Sequence, residues 1–529
     1  MRTFLLLVMW GHVLVSLLPA QSSQKVSRLL EKATLPIHSA ELTAGQTDLE
    51  AIAPLLESVT VLGLGEATHG SREFFTLKAR LIRYGIEHLG FRVVAFEAPF
   101  DQEGINRFVQ GEAIKLEKVM PELSYWPWNT VEVRELLIWL RAYNEGKSPA
   151  DRVRFVGIDT QSLAGARKWQ KCLQAGKADT EIPFAVARLD TLAKLKTWAL
   201  TSASLSWLDS SMLAVDQVEA WATQRASTWA SISSDIDFVW AQHHLEVIRQ
   251  VLTHFIRKKQ EAPGYWNHRD SCMAANVKWV RETGFPGEKI LLWAHNGHIS
   301  KFGDEKQHGA YRRMGCYLKR YFQAEYYALG FDFGEGNLIA RGPNGSLDKW
   351  SLPSAHRKSL AYQLSAVPYQ MCWLDETRLM DQPGLSKWLQ KPWWMRVVGS
   401  GFNPEANRKY YYSKSFPPFE RYDGILFVKN VRATRPLISP LIGRTIPVAG
   451  FEGQDIRIEA RVRLMAEADT SCRPRMLLHC WTQHSTLAML VADPVQDSLS
   501  GDWHMRLKGN VPTGTTILKC DLFTTAGAA

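Results

Sequence analysis

Five short apolar runs recur along the chain, and each ends on polar side chains: VTVLGLGE (59–66), RVVAFEAP (92–99), VRFVGID (153–159), KILLWAHNGH (289–298) and YYALGFDFG (326–334). Their residues are β-branched or aromatic and nearly continuous in apolar character, the pattern of strands buried on both faces. Between the first two lies SREFFTLKARLIRYGIEHLG, where Phe74, Leu77, Leu81, Ile82 and Ile86 recur at helical spacing. Ser71 is placed to cap that helix and Gly90 to end it. Such a strand–helix–strand unit predicts an α/β fold, a mostly parallel sheet with helices on both faces.

Residues 160–285 read as a helical insertion, with an apolar stripe of Trp240, Val247, Ile248, Val251, Leu252, Phe255 and Ile256. It would either wall a site or simply cover one sheet face. Residues 336 to about 420 read as ordered aromatic- and proline-rich loops, leading to a strand at YDGILFV (422–428). Further on, Ile456, Ile458, Ala460, Val462 and Leu464 alternate with Arg457, Glu459, Arg461 and Arg463, a strand with one wet face. That change predicts a small all-β, sandwich-like domain over 436–529, though FTTAGAA does not read as a closing strand.

At the N-terminus, MR precedes TFLLLVMWGHVLVSLL and then PAQSS, the layout of a signal peptide over 1–22, cleaved after Ala20 or Ser22. An exported chain, periplasmic or secreted, is expected, with no stable membrane insertion beyond that segment. The α/β portion then runs over 23–435. A hydrophobic content of 46% with 22% charged residues excludes a disordered chain. The net charge of +10 comes in short clusters such as RKK (257–259), not in the dense basic patch that nucleic acid requires, so no nucleic-acid partner is expected. The seven cysteines show no CxxC spacing, which argues against a structural zinc site of that kind; Cys472 and Cys480 are close enough in sequence to be a candidate bridge.

In parallel sheets ligands sit outside the carboxyl ends of the strands. Those ends here carry Glu66, His69, Glu97, Asp159, His295, His298 and Asp332. His69 can take a proton from water. Glu66 or Glu97 could hold its other ring nitrogen and stabilise the imidazolium. His295 and His298 could donate to a carbonyl oxygen or protonate a leaving alcohol. No G-x-S-x-G elbow follows a strand, and Ser71 suits a helix cap better than a nucleophile. These parts suffice for ester hydrolysis with water as the nucleophile. The same Glu66-x-x-His69 and His295-x-x-His298 pairs also offer zinc or iron ligands, although neither forms H-E-x-x-H on a helix.

The stretch GLGEATHGSREFFTLKARLIRYGIEHLGFRVVAFEAPF resembles the opening signature of the erythromycin esterase family. The likeness continues through YWPWNTVEVRELLIWLRAYN (125–144), VRFVGIDTQS, RDSCMAANVKWV (269–280), ILLWAHNGHIS and MGCYLKRYFQAEYYALGFDFGEG (314–336), from about residue 30 to 430. The resemblance implies an α/β core with a helical portion around a deep cleft, and hydrolysis of a macrolide lactone by water with histidine as general base; no cofactor is expected, with a divalent metal as the alternative. Carried over by motif, His69 would be the general base, Glu66 and Glu97 its supporting carboxylates and His295 a second catalytic group. His298, Asp159, Arg269 and Trp128 would be substrate-binding. The export signal and the extra β region set the chain apart from the cytoplasmic resistance enzymes that name the family. The expected partner is a small ester or macrolide-like molecule, with a glycan as candidate ligand of the C-terminal region. Two other readings stand beside this one: a metal- or haem-binding protein of the same fold group, and a non-catalytic glycan-binding envelope protein.

Overall fold

A computed structural model describes residues 25–233, 236–302, 312–343, 345–406, 411–413 and 416–437 in full. Beyond them it describes the backbone of the strands between Ile438 and Thr525. The expected signal peptide lies outside the described residues, as does Cys472 of the expected bridge.

The strands are β1 (Leu35–Pro36), β2 (Val61–Leu64), β3 (Phe91–Pro99), β4 (Arg154–Asp159), β5 (Lys289–Trp293), β6 (Tyr326–Arg341), β7 (Leu347–Leu352), β8 (Met371–Asp375), β9 (Met395–Arg396), β10 (Tyr412–Ser413) and β11 (Gly424–Val431). Nine of them form one sheet in the order β1-β8-β11-β6-β2-β5-β3-β4, with β7 extending from β6. From β11 to β4 every neighbour is parallel. β8 is antiparallel to β11, and β1 to β8. All five apolar runs are therefore strands of one parallel array. The loop expectation for 336–420 needs correction: β6 continues to Arg341, and β7 and β8 are strands. β8 is only MCWLD, too short for a period to show, and it gains its partners from β1 and β11 at distant points of the chain.

Alternation along each strand divides the interior into two cores. Leu62, Leu64, Val94, Phe96, Leu291 and Trp293 face one side; Val61, Val93, Ala95, Ile290 and Leu292 face the other. Helix α1 (Arg72–His88) covers the first side with Phe74, Phe75, Leu77, Leu81, Ile82 and Ile86, joined by α2 (Val131–Asn144) through Val133, Leu136, Leu137 and Leu140. Ser71 caps α1 by accepting from the Phe74 amide at 3.4 Å, and Gly90, at φ +75°, turns the chain into β3.

The insertion is helical as expected: α3 (Gly165–Ala175), α4 (Pro183–Lys194), α5 (Leu205–Thr223), α6 (Phe238–Lys259) and α7 (His268–Trp279). Its first four helices bury a core of their own around Trp169, Leu189, Val215 and Ile248. Ile248, Val251 and Leu252 of α6 face this bundle, while Val247 faces the sheet. The insertion thus covers a sheet face. A polar seam fixes it there. Asn276 of α7 donates to the Ile158 carbonyl of β4 at 3.0 Å and accepts from His243 and Gln250 of α6 at 3.0 and 3.1 Å.

Beyond Leu437 the described backbone is antiparallel, with strands joined in one four-stranded and one three-stranded sheet. No described helix is long and apolar enough to cross a membrane.

The seam makes stability pH-dependent. Burial lowers the His243 imidazole to about 4 against the pull of its Asn276 bond, and lowers His254 to about 4 with help from neighbouring His268. The unfolded chain protonates both near 6.5, whereas the folded chain keeps them neutral. Stability is therefore full above that pH and declines as pH falls toward about 4, by up to ~3 kcal/mol from His243 alone. Urea midpoints measured from pH 7.5 to 4 should fall steadily, and less steeply in His243→Gln.

Candidate active site

Strand order makes the site. β5 lies between β2 and β3, so Leu64, Trp293 and Phe96 share one row, with Gly157 of β4 beside them. One or two residues further on, the chain delivers Glu66, His295, Glu97 and Asp159 to the same sheet edge. The loop after β2 turns tightly. A side chain at Gly70 would collide with the Ile339 backbone of β6, whose amide donates to the Gly70 carbonyl at 3.1 Å. That close approach swings His69 back over Glu66.

His69 Nδ1 is 2.6 Å from Glu66 Oε1. The other carboxylate oxygen accepts from Lys78 Nζ at 2.5 Å and from the Trp293 indole at 3.1 Å. Glu66 and Lys78 have no exposed surface. Burial depresses the Lys78 ammonium to about 8, against the raising effect of Glu66. With the Nδ1 proton committed to Glu66, the Nε2 lone pair of His69 is the one left to accept a proton.

A second charged cluster faces the first. Glu97 accepts from the His295 backbone amide at 2.9 Å, from Arg269 Nη2 at 2.8 Å, and lies 3.2 Å from His298 Nε2. Burial would raise its pKa, but the cations of His298 and Arg269 hold it well below the usual carboxylate range. Arg269 also makes a two-point bond to Asp159, at 2.9 and 2.7 Å. His298 Nδ1 meets Asp270 at 2.7 Å. Burial opposes the His298 charge, yet Asp270 and Glu97 together raise its pKa to about 9, so it is cationic at neutral pH.

His295 sits between the clusters, its ring centre 5.0 Å from that of His69. Its Nδ1 accepts from the Gly297 amide at 3.1 Å, so the neutral ring carries its proton on Nε2. That atom is buried and has no partner among the described residues. Burial, then the nearby His69, His298 and Lys78, keep the ring well below its ordinary pKa. The result is a neutral N–H donor with its acceptor still to come.

These groups border a cavity of about 520 Å³, lined by His69, Glu97, Trp128, Arg269, His295 and His298 among others. The Trp128 indole donates to the Glu97 carbonyl at 3.0 Å, and its ring meets His69 edge-on. Two expected residues are placed less directly. Glu97 makes no hydrogen bond to His69 among the described residues, though it feels that ring's charge; it binds Arg269, His298 and the His295 amide, while Glu66 takes the His69 Nδ1. Asp159, expected at the substrate, is fully buried behind Arg269 and acts on that guanidinium. Asp332 is also turned away, spending one oxygen on the Phe333 and Arg396 amides.

Sequence reasoning missed Lys78, although a lysine on the apolar face of α1, one turn after Phe74, was a usable signal. It missed Asp270 beside Arg269, and Arg341 and Ser400, which reach the cavity from the end of β6 and the loop after β9. Ser71 is a helix cap, as expected. Of the supposed metal-ligand pairs, Glu66 is engaged by Lys78, and His298 by Asp270 and Glu97. Among the described residues no three His, Cys, Asp or Glu side chains converge in metal-binding geometry.

A parallel α/β sheet with a histidine–carboxylate cleft at its carboxyl edge, and no serine elbow, defines a narrow class of protein. The erythromycin esterase profile matches residues 86–431, and the chain belongs to that family. It is 23% identical over 411 residues to YbfO of Bacillus subtilis (strain 168), a presumptive hydrolase, covering 73% of this chain and 87% of that protein. It is 25% identical over 274 residues to erythromycin esterase type II of Escherichia coli, covering 48% of this chain and 64% of that one. Its fold is shared with a succinoglycan biosynthesis protein of known crystal structure, at a TM-score of 0.66 and 21% identity, over 78% of this chain and 98% of that one.

The Glu66–Lys78 pair sets a stability expectation. Removing one partner of a buried ion pair strands the other charge, at a cost of about 3–5 kcal/mol. Lys78→Met should lose that much in urea unfolding, and the double variant Lys78→Met with Glu66→Gln should regain at least ~1 kcal/mol of it. A single-variant loss below ~1 kcal/mol would mean that Glu66 is held otherwise.

Proposed function

We propose that this protein hydrolyses a carboxylic ester, with water as the nucleophile and His69 as general base. The observation that carries the reading is the pairing of His69 Nδ1 with Glu66 in one cavity with His295, whose ring centre is 5.0 Å from that of His69 and whose Nε2 has no partner among the described residues. Water gives its proton to His69 Nε2 as its oxygen attacks the ester carbon. The imidazolium is stabilised through Nδ1 by Glu66, which Lys78 and Trp293 keep in place. The His295 Nε2–H donates to the carbonyl oxygen as it gains charge, in a site where a prearranged donor is worth more than in water. His69 then returns its proton to the leaving alkoxide. Arg269 and His298 line the same cavity, their charges matched by Glu97, Asp159 and Asp270.

The name of the Escherichia coli relative favours a macrolide-like cyclic ester as substrate class. The alternating pattern beyond 436 supports an accessory β domain, and the apolar N-terminus supports export to the periplasm or beyond. A metal-dependent reading is weaker, because Glu66, the one carboxylate in the supposed metal-ligand pairs, already neutralises Lys78.

A panel of macrolides, simple lactones and linear esters, followed by mass spectrometry for addition of water, tests the reading. His69→Ala should lose about 10³-fold in kcat/KM and His295→Asn about 10²-fold, both in variants that still unfold cooperatively in urea, and a chelator should have no effect. No hydrolysis of any ester by the wild type, or activity in His69→Ala within twofold of it, would overturn the proposal. Activity should also fall as pH rises through about 9, where His298 loses its proton, and this limb should be absent from the pH profile of His298→Gln.

A further inference from the structure

A second cleft, of about 530 Å³, lies along the edge strand β4 and shares no lining residue with the catalytic cavity. Its floor is aromatic. Trp240 lies 6.0 Å from Phe100 and 5.2 Å from Phe285, ring centre to ring centre, with the planes tilted by 34° and 53°, so the three rings form one aromatic patch. Nothing in the proposed hydrolysis uses it.

Two buried polar groups on this cleft lack partners. His244 is 3% exposed, and neither of its ring nitrogens has a hydrogen bond among the described residues. Gln102, also 3% exposed, spends its amide N–H groups on the Pro99 and Glu122 carbonyls, both at 2.9 Å, and leaves its Oε1 with no partner. Buried polar groups left unmatched are rare in native folds and ask for an occupant.

What they ask for is specific. Burial, with Lys168 and His243 nearby, holds His244 well below its ordinary pKa, so the ring is neutral and offers one donor and one acceptor. Gln102 Oε1 needs a donor. A phosphate or carboxylate cannot donate to it, and an ammonium cannot accept from an imidazole N–H. A hydroxyl does both. The charged lining is balanced, with Arg107, Arg154 and Lys168 against Glu103, Glu112 and Asp237, so neither sign is favoured. The aromatic patch suits the C–H face of a saturated ring, which the negative faces of the aromatic rings attract.

We propose that this cleft binds a neutral sugar ring, as a free saccharide or as one unit of a glycan, stacked on Trp240 and hydrogen-bonded to His244. The site is independent of the catalytic reading.

The test is isothermal titration of the full chain with maltotetraose and cellotetraose, and with tetragalacturonate as the anionic counterpart. At least one neutral tetrasaccharide should bind one to one, with the uronate at least tenfold weaker. His69→Ala should bind as the wild type does, and Trp240→Leu at least tenfold more weakly. Histidine NMR of the wild-type chain adds a readout that needs no folded variant at Trp240: the His244 ring resonances, assigned with His244→Phe, should shift at saturation. The proposal is overturned by no saturable binding of either neutral probe, by equal binding of the uronate, by binding lost in His69→Ala, or by His244 resonances that do not move.

Discussion

A carboxylate with no exposed surface organises this protein. Glu66 would be costly in the interior if it stood alone, since an unpaired buried charge is among the most destabilising features a fold can hold. It is matched three ways, by Lys78 from α1, by the Trp293 indole from β5 and by His69 from its own loop. Those bonds tie together the helix over one sheet face, the strand inserted beside β2 and the loop that enters the cavity. The same contacts fix the His69 tautomer, so folding and chemistry draw on one set of bonds.

Charge is divided between two clusters on the cavity walls. On one side a single carboxylate serves His69. On the other, Glu97, Asp159 and Asp270 surround Arg269 and His298, and keep both cationic. His295 lies between them, held neutral by burial and by its cationic neighbours, with its backbone amide bound to Glu97. Three histidines near one another thus have three different characters: a base paired to a carboxylate, a neutral donor and a fixed cation. Environment separates them, since the side chain is the same in each.

The helical insertion is anchored through its own polar seam, where Asn276 reaches the end of β4. α7, at the end of the insertion, carries Arg269 into the cavity lined by His69 and His295. The path from Asn276 to Arg269 is two turns of one helix, so the docking of the insertion and the placement of a cation in the site are a single mechanical event.

Much of this was written in the chain. Buried strands read as continuous apolar runs because both faces are covered, and the polar residues at their ends stood out because such groups are costly in a core. Ser71, Gly90 and the apolar face of α1 were legible for local reasons: capping, backbone freedom and helical period. The sequence by itself therefore determined the strands, the helix between the first two and the residues worth attention. Only the tertiary structure decided that β5 enters between β2 and β3, that β8 is a strand, and that Glu97 serves Arg269 and His298 instead of His69. Those outcomes depend on which distant segments become neighbours, and the cost of a buried charge is settled by what lies across the gap, which no local pattern records.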